Sequence, residues 1–214
     1  MGTPGTFELI ASDPGSRARR GRLSTLHGDI DTPVFMPVGT RGAVKTVCPA
    51  ELRETGVQIV LGNTYHLAIR PGIEVVRICG GLHRFMGWEG PILTDSGGYQ
   101  IFSLARLCRI NDDGVEFNSH VDGERLFLGP AEVMSMQRAL GSDICMVFDE
   151  CPPYPCDREY ACQSVAKSLR WAASCAEQPL SPGQLRFGTV QGGEFGDLRE
   201  QCARELADMG FDGY

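Results

Sequence analysis

The sequence is short of features that would place it in several large classes. No apolar run approaches the roughly 18 residues of a membrane-spanning helix. The opening MGTPGTFELIASDPG lacks the basic start and long apolar core of a signal peptide. Positive charge is in deficit: 20 Lys plus Arg against 27 Asp plus Glu leave a net charge of −7. Taken alone, that argues against a nucleic-acid partner, because phosphate binding usually shows as a basic surplus. Nine cysteines are scattered singly without one C-x-x-C pair, so no zinc site is expected within these residues. An odd thiol count without framework spacing also fits a reducing, cytoplasmic setting better than a disulfide scaffold. His27, His66, His83 and His120 show no metal-ligand spacing, and those of GNTYHL and GGLHRFMGW, His66 and His83, are expected to be structural. Repeats and low-complexity segments are absent.

What remains is an ordinary globular composition, 42% hydrophobic and 22% charged over 214 residues, enough for one large domain or two small ones with a sizeable core. FELIAS and RRGRLSTLHGDIDTPVFMPVG alternate apolar and polar residues between Gly, Pro and Asp breaks and read as short antiparallel strands. After residue forty, apolar runs alternate with helix-like segments. IEVVRICGGLHRFMG is expected to be a helix. PAEVMSMQRALG places Val133, Met136 and Leu140 on one face. DREYACQSVAKSLRWAASCAEQ places Ala161, Val165, Leu169 and Ala173 at four-residue steps. DLREQCARELADMG opens with Asp197 and Glu200 in a capping-box pattern and presents Leu198, Cys202, Leu206 and Met209. FDGY reads as a further strand. Such alternation implies a parallel sheet, either doubly wound or a (β/α)₈ barrel. VEFNSHVDGERLFLG interrupts it as an expected hairpin with Asp122-Gly123 as a two-residue turn.

In parallel α/β architectures functional groups collect where strands end. Four successive strand ends carry a polar residue: Asn63, Asp95, Asp149 and Gln191. Caps and turns account for any one Asp or Asn, but Gln is a preferred residue of neither. Together, two carboxylates and an amide suit a purine edge. A carboxylate accepts two N–H bonds from a guanine-like N1/N2 edge, and a Gln amide donates to O6. The other carboxylate is then free for proton transfer. Gly97-Gly98 after Asp95 and Gly192-Gly193 after Gln191 fit a flat ligand close to the backbone, although Gly-Gly is also turn punctuation. DSGGY matches neither phosphate-binding glycine pattern. Tyr99 is placed to stack on a base or simply to pack. Cys151 and Cys156 in DECPPYPC are poor nucleophile candidates, because Asp149, Glu150 and Asp157 oppose a thiolate. An Asp95/Asp149 carboxylate pair in a sugar-acting enzyme is a further reading.

TPVFMPVGTRGAVK, LGNTYHLAIRPG, GGLHRFMGWEGPILTDSGGYQIFSL, HVDG, GSDICMVFDECPPYP, VQGG and GFDGY, in this order, resemble the tRNA-guanine transglycosylases, and DECPPYP resembles their bacterial branch. The resemblance implies a (β/α)₈ barrel, with residues 1–214 forming an incomplete catalytic domain that stops near the sixth strand. It implies exchange of the tRNA wobble guanine for 7-aminomethyl-7-deazaguanine through a covalent ribosyl–enzyme intermediate. Asp95 corresponds to the general acid/base. Asp149 and Gln191 correspond to readers of the base, and Ser96, Gly97, Gly98, Tyr99 and Gly192 to the pocket lining. The family's aspartate nucleophile, basic tRNA-contacting segments and structural zinc, held by three Cys and one His, are expected beyond GFDGY. The chain alone is therefore expected to be inactive and to carry no metal or other cofactor. The implied partners are tRNA, the deazaguanine base and a second copy in a homodimer, with no membrane. A non-catalytic base-binding or partner subunit of the same family is the alternative.

Overall fold

A computed structural model of the chain describes residues 2–104, 108–119, 121 and 123–214. Three N-terminal strands, Phe7–Ser12 (β1), Arg19–Thr25 (β2) and Gly28–Thr32 (β3), form an antiparallel sheet in the order β1-β2-β3, as the alternating pattern implied. There follow Val38–Gly39 (β4), Pro49–Glu54 (α1), Val60–Gly62 (β5), Thr64–Ile69 (α2), Ile73–Ile78 (α3), Leu82–Met86 (α4), Ile92–Thr94 (β6) and Gly98–Leu104 (α5). Cys108–Ile110 (β7), Val115–Asn118 (β8) and Arg125–Leu128 (β9) form an antiparallel sheet of their own. The remaining elements are Pro130–Leu140 (α6), Ile144–Met146 (β10), Arg158–Ala176 (α7), Leu185–Phe187 (β11) and Gly196–Asp208 (α8). The main sheet has the order β11-β10-β6-β5-β4, with β4–β5, β5–β6 and β6–β10 pairing in parallel. This is a mixed α/β chain with a parallel sheet, the class that strand–helix alternation demands.

The chain forms two compact units. One comprises residues 1–94, 137–145 and 180–185. Its core gathers Leu52, Val60, Leu67, Val76, Leu82, Trp88, Ile92 and Leu140. The other comprises residues 95–136, 146–179 and 186–214. There Phe148 stacks on Trp171 at 4.8 Å, and the Trp171 indole N–H donates to the Asp112 carbonyl at 2.7 Å.

The helical faces follow the sequence closely. Val133 and Leu140 of α6, Ala161, Val165 and Leu169 of α7, and Leu198, Cys202 and Leu206 of α8 are buried. Met136 and Met209 are half-buried, and Ala173 is exposed. Four-residue steps outrun the 3.6-residue turn, so the row drifts off the buried stripe and Ala172 takes its place.

Two expectations need correction, and the hairpin is extended. The helix expected over 73–87 breaks into α3 and α4, because Gly80 and Gly81 take φ of +90° and +93°, a backbone that no helix continues through. The hairpin ladder closes at Asn118↔Arg125, and Ser119 N–H donates to the Glu124 carbonyl at 2.8 Å; of the expected Asp122-Gly123 turn, Asp122 lies outside the described residues. The hairpin also gains a third strand, β7, on β8. Finally, Asp197 does not cap α8. Its carboxylate is held in the first helical turn by the Arg158 guanidinium, and Phe195 occupies the N-cap without a side-chain bond. A capping box forms instead on α1, where Cys48 N–H donates to Glu51 Oε2 at 2.7 Å.

Candidate active site

Asp149 lies three residues past β10 and is buried, with 9% of its surface exposed. Two neighbours orient its carboxylate. Ser96 Oγ donates to Oδ1 at 3.1 Å, and Gln191 Nε2 donates to Oδ2 at 2.6 Å. Ser96 Oγ in turn accepts Gly98 N–H at 3.3 Å. Burial raises the Asp149 carboxyl above the ordinary carboxylate value. The bonds from Gln191 and Ser96 work the other way, and the adjacent Glu150 adds to the rise. Burial prevails over those bonds, and a carboxyl perturbed in this way is a mark of functional sites.

Gly98 is the floor of this arrangement. A Cβ there would lie 2.6 Å from the Asp149 carbonyl oxygen and 3.3 Å from Oδ1. The backbone opening α5 thus approaches Asp149 as closely as only glycine allows. Gly97 and Gly192, with φ of +82° and +131°, make the turns after Ser96 and Gln191.

Asp95 is half-buried, and Gln100 Nε2, one turn along α5, donates to its Oδ2 at 2.9 Å. Tyr99 is 64% exposed, its ring open to solvent. A cavity of about 180 Å³ is lined by Cys151, Pro152, Pro153, Tyr154, Cys156, Gln191, Gly193 and Glu194. Cys151 is held as a neutral thiol by burial and by the Asp149 and Glu150 charges, which agrees with its low nucleophile standing in the sequence. A larger cavity of about 270 Å³, on the β7-β8-β9 sheet, contains none of the expected site residues.

The segment after Asp149 is tied to α7. Glu150 N–H donates to Ser168 Oγ at 3.0 Å, and its carbonyl accepts Ser164 Oγ at 2.9 Å. Its carboxylate accepts the Tyr160 hydroxyl at 2.6 Å. Burial, and then this bond, push the Tyr160 phenol upward. Of the residues that read as one site in the sequence, Ser96, Gly98, Asp149 and Gln191 form one bonded group; no bond shown here joins Asp95 or Tyr99 to it. Asn63 lies in the other compact unit, where it occupies the N-cap of α2.

Comparison with known proteins now decides the family. A family profile described as Queuine tRNA-ribosyltransferase matches residues 13–214. Queuine tRNA-ribosyltransferase of Solidesulfovibrio magneticus is 57% identical over 216 residues, covering all of this chain and 57% of that protein. The enzyme of the same name from Syntrophobacter fumaroxidans is 56% identical over 97% of this chain and 56% of its own length. That from Desulforamulus reducens is 52% identical over 99% of this chain and 57% of its own length. The chain belongs to the queuine tRNA-ribosyltransferase family. It spans a little over half the length of these relatives.

The residues that support this site are ones that carry no mark in the sequence. Gln100 beside Asp95, and Tyr160, Ser164 and Ser168 around Glu150, carried no signal beyond helical spacing. A second polar cluster, in the other unit, also went unread. Asp143 Oδ1 accepts His27 N–H and faces His27 Nδ1 at 3.1 and 2.8 Å. Its Oδ2 accepts Ile92 N–H at 2.8 Å and faces His83 Nε2 at 3.1 Å. Burial works to raise this carboxyl, but the bonds from His83, Ile92 and His27 outweigh it and hold it below the ordinary value. These three side chains come close enough to suggest a metal site. The imidazoles, however, stack with centroids 3.6 Å apart and planes 22° from parallel. An ion between them would lie well out of both ring planes, where nitrogen lone pairs do not point. The trio also has no thiol, so it does not fit the zinc of three Cys and one His that the resemblance implies. The trio forms a hydrogen-bond clamp around Asp143.

Proposed function

We propose that the protein exchanges the guanine at the wobble position of tRNA for 7-aminomethyl-7-deazaguanine, a step of queuosine synthesis. The observation that carries this is the oriented Asp149 carboxylate, with Ser96 on one oxygen and Gln191 on the other. Each carboxylate oxygen accepts two hydrogen bonds, so an acceptor position remains on both for the N1–H and N2–H of guanine. Gln191 has a second amide hydrogen for O6. Gly98 lets the backbone close on Asp149, and the exposed Tyr99 ring offers a stacking face.

Asp95 is the proton-transfer group. As a carboxylate nucleophile attacks C1′ of the ribose, the C1′–N9 bond breaks and the departing guanine takes up a proton from Asp95. The deazaguanine then gives its N9 proton to Asp95 and attacks C1′, releasing the nucleophile. Gln100 keeps Asp95 oriented for both transfers. By family resemblance the nucleophile, the basic tRNA-binding surface and the structural zinc belong to sequence following the GFDGY motif. On the same ground the parallel sheet is part of a (β/α)₈ barrel in a homodimeric cytoplasmic enzyme. Reaching C1′ requires the wobble nucleotide to leave the anticodon stack.

The test is incorporation of labelled guanine into tRNA by the full-length protein carrying Asp95→Asn, beside the full-length parent. Exchange should fall by about 100-fold or more, the scale of a lost general acid/base, while guanine binding persists. Undiminished exchange would remove Asp95 from the chemistry.

A further inference from the structure

Two of the residues that hold the base sit past the ends of their strands, where no sheet ladder fixes the backbone. β11 ends at Phe187, and Gln191 lies four residues on; β10 ends at Met146, and Asp149 lies three residues on. Buried N–H groups in such stretches need an acceptor. At Gln191 it is a sulfur: the backbone N–H donates to Cys202 Sγ on α8 at 3.3 Å. The same device recurs one strand away, where Phe148 N–H, just before Asp149, donates to Cys175 Sγ on α7 at 3.4 Å. Both cysteines are fully buried. Burial raises both thiols, Cys175 to about 12, so each remains a neutral S–H with a sulfur able to accept. In both cases the helix that follows the strand supplies the sulfur.

At Gln191 the anchor has the most to hold. Gly192 and Gly193 follow with φ of +131° and +56°, and the chain turns away at once. The Gln191 N–H is the last tethered backbone donor before that turn, and the side chain must still deliver Nε2 to Asp149 Oδ2 at 2.6 Å. Any drift of the Gln191 backbone passes through this bond to the carboxylate. We infer that the Cys202 sulfur is a positioning group that sets Gln191, and through it Asp149, for binding the guanine edge.

The inference rests on the base-reading role proposed above, and the experiment separates the two. Guanine affinity is measured by titration calorimetry on the chain and on its Cys202→Ser, Cys202→Ala, Cys202→Val and Gln191→Ala variants. Tm and hydrogen exchange at the Gln191 amide are recorded for each. Serine keeps an acceptor, so Cys202→Ser should bind guanine within about twofold of the unsubstituted chain. Alanine leaves the N–H unpaired, and valine does so at nearly constant volume. Both should bind about tenfold more weakly and exchange the Gln191 amide about tenfold faster, the scale of an unsatisfied buried donor. A role in packing alone would lower Tm and leave affinity untouched. Unchanged affinity in Cys202→Val overturns the inference, as does equal weakening in Cys202→Ser. If Gln191→Ala binds as tightly as the parent, or the parent does not bind guanine, the base-reading role falls and the inference with it. A weakened Gln191→Ala beside an unaffected Cys202→Val removes the inference alone.

Discussion

Gly98→Ala adds one methyl group to the site and removes no hydrogen-bonding group. The new Cβ would stand 2.6 Å from the Asp149 carbonyl oxygen, where ordinary contact begins at 3.4 Å. About 0.8 Å must therefore be found, since the repulsive wall rises steeply inside contact distance. The carbonyl cannot yield alone, because Glu150 is pinned to Ser164 and Ser168 on both its N–H and its C=O. Nor does backbone strain confuse the result, because Gly98 does not occupy the left-handed region. At the start of α5, alanine should even favour the helix by up to about 1 kcal/mol. Overpacking costs about 1–3 kcal/mol, so net stability should fall by at most about 3 kcal/mol. Binding should suffer more. A displaced Oδ1 forfeits one charge-assisted bond to the base, worth about 1.5–3 kcal/mol, which is about 10- to 100-fold in Kd. Titration of guanine, with Tm measured alongside, reads both quantities. A Kd within twofold of the parent would refute the close approach of Gly98 to Asp149 as the floor of the base site.

Two further substitutions probe the buried carboxylates. Burial raises the Asp149 carboxyl in the folded state, so as pH climbs above the ordinary value of 3.8 the unfolded chain ionises first and the native protein loses stability until Asp149 itself ionises. Asp149→Asn escapes this loss. Its Tm should gain on the parent across that rise and then run level, with guanine binding lost; a pH-independent difference would contradict the shift. Asp143→Ala should destabilise by at least about 3 kcal/mol in urea unfolding, because the Ile92 and His27 N–H groups lose a buried charged acceptor; a loss below about 1 kcal/mol would show the clamp to be idle.

Local chemistry made much of the chain legible. Apolar steps along α6, α7 and α8 marked their buried faces, because a helix must turn one stripe inward whatever it packs on. The apolar pattern runs on through Gly80 and Gly81, but their positive φ breaks the helix there. The third strand of the hairpin sheet, β7 on β8, has no local signal, because cross-strand pairing joins segments that a short window does not connect. Asp197 and Glu200 had capping-box spacing, but a partner 39 residues away, Arg158, took the Asp197 carboxylate. Pair interactions of that range have no signature in a local window.

The group around Asp149 divides along the same line. The order of motifs, and a polar residue closing each strand, were enough to name Asp95, Ser96, Gly98, Asp149 and Gln191 and to assign the family. Those properties belong to single residues and their immediate neighbours. Only the tertiary structure decided that Ser96 and Gln191 grip opposite oxygens of Asp149. The same holds for Gln100 beside Asp95, for the Cys175 and Cys202 sulfurs on strand-end N–H groups, and for the two histidines closing on Asp143. Burial and hydrogen-bond partnership are set by where distant segments meet, and the unmet cost of a buried polar group is what makes those meetings specific.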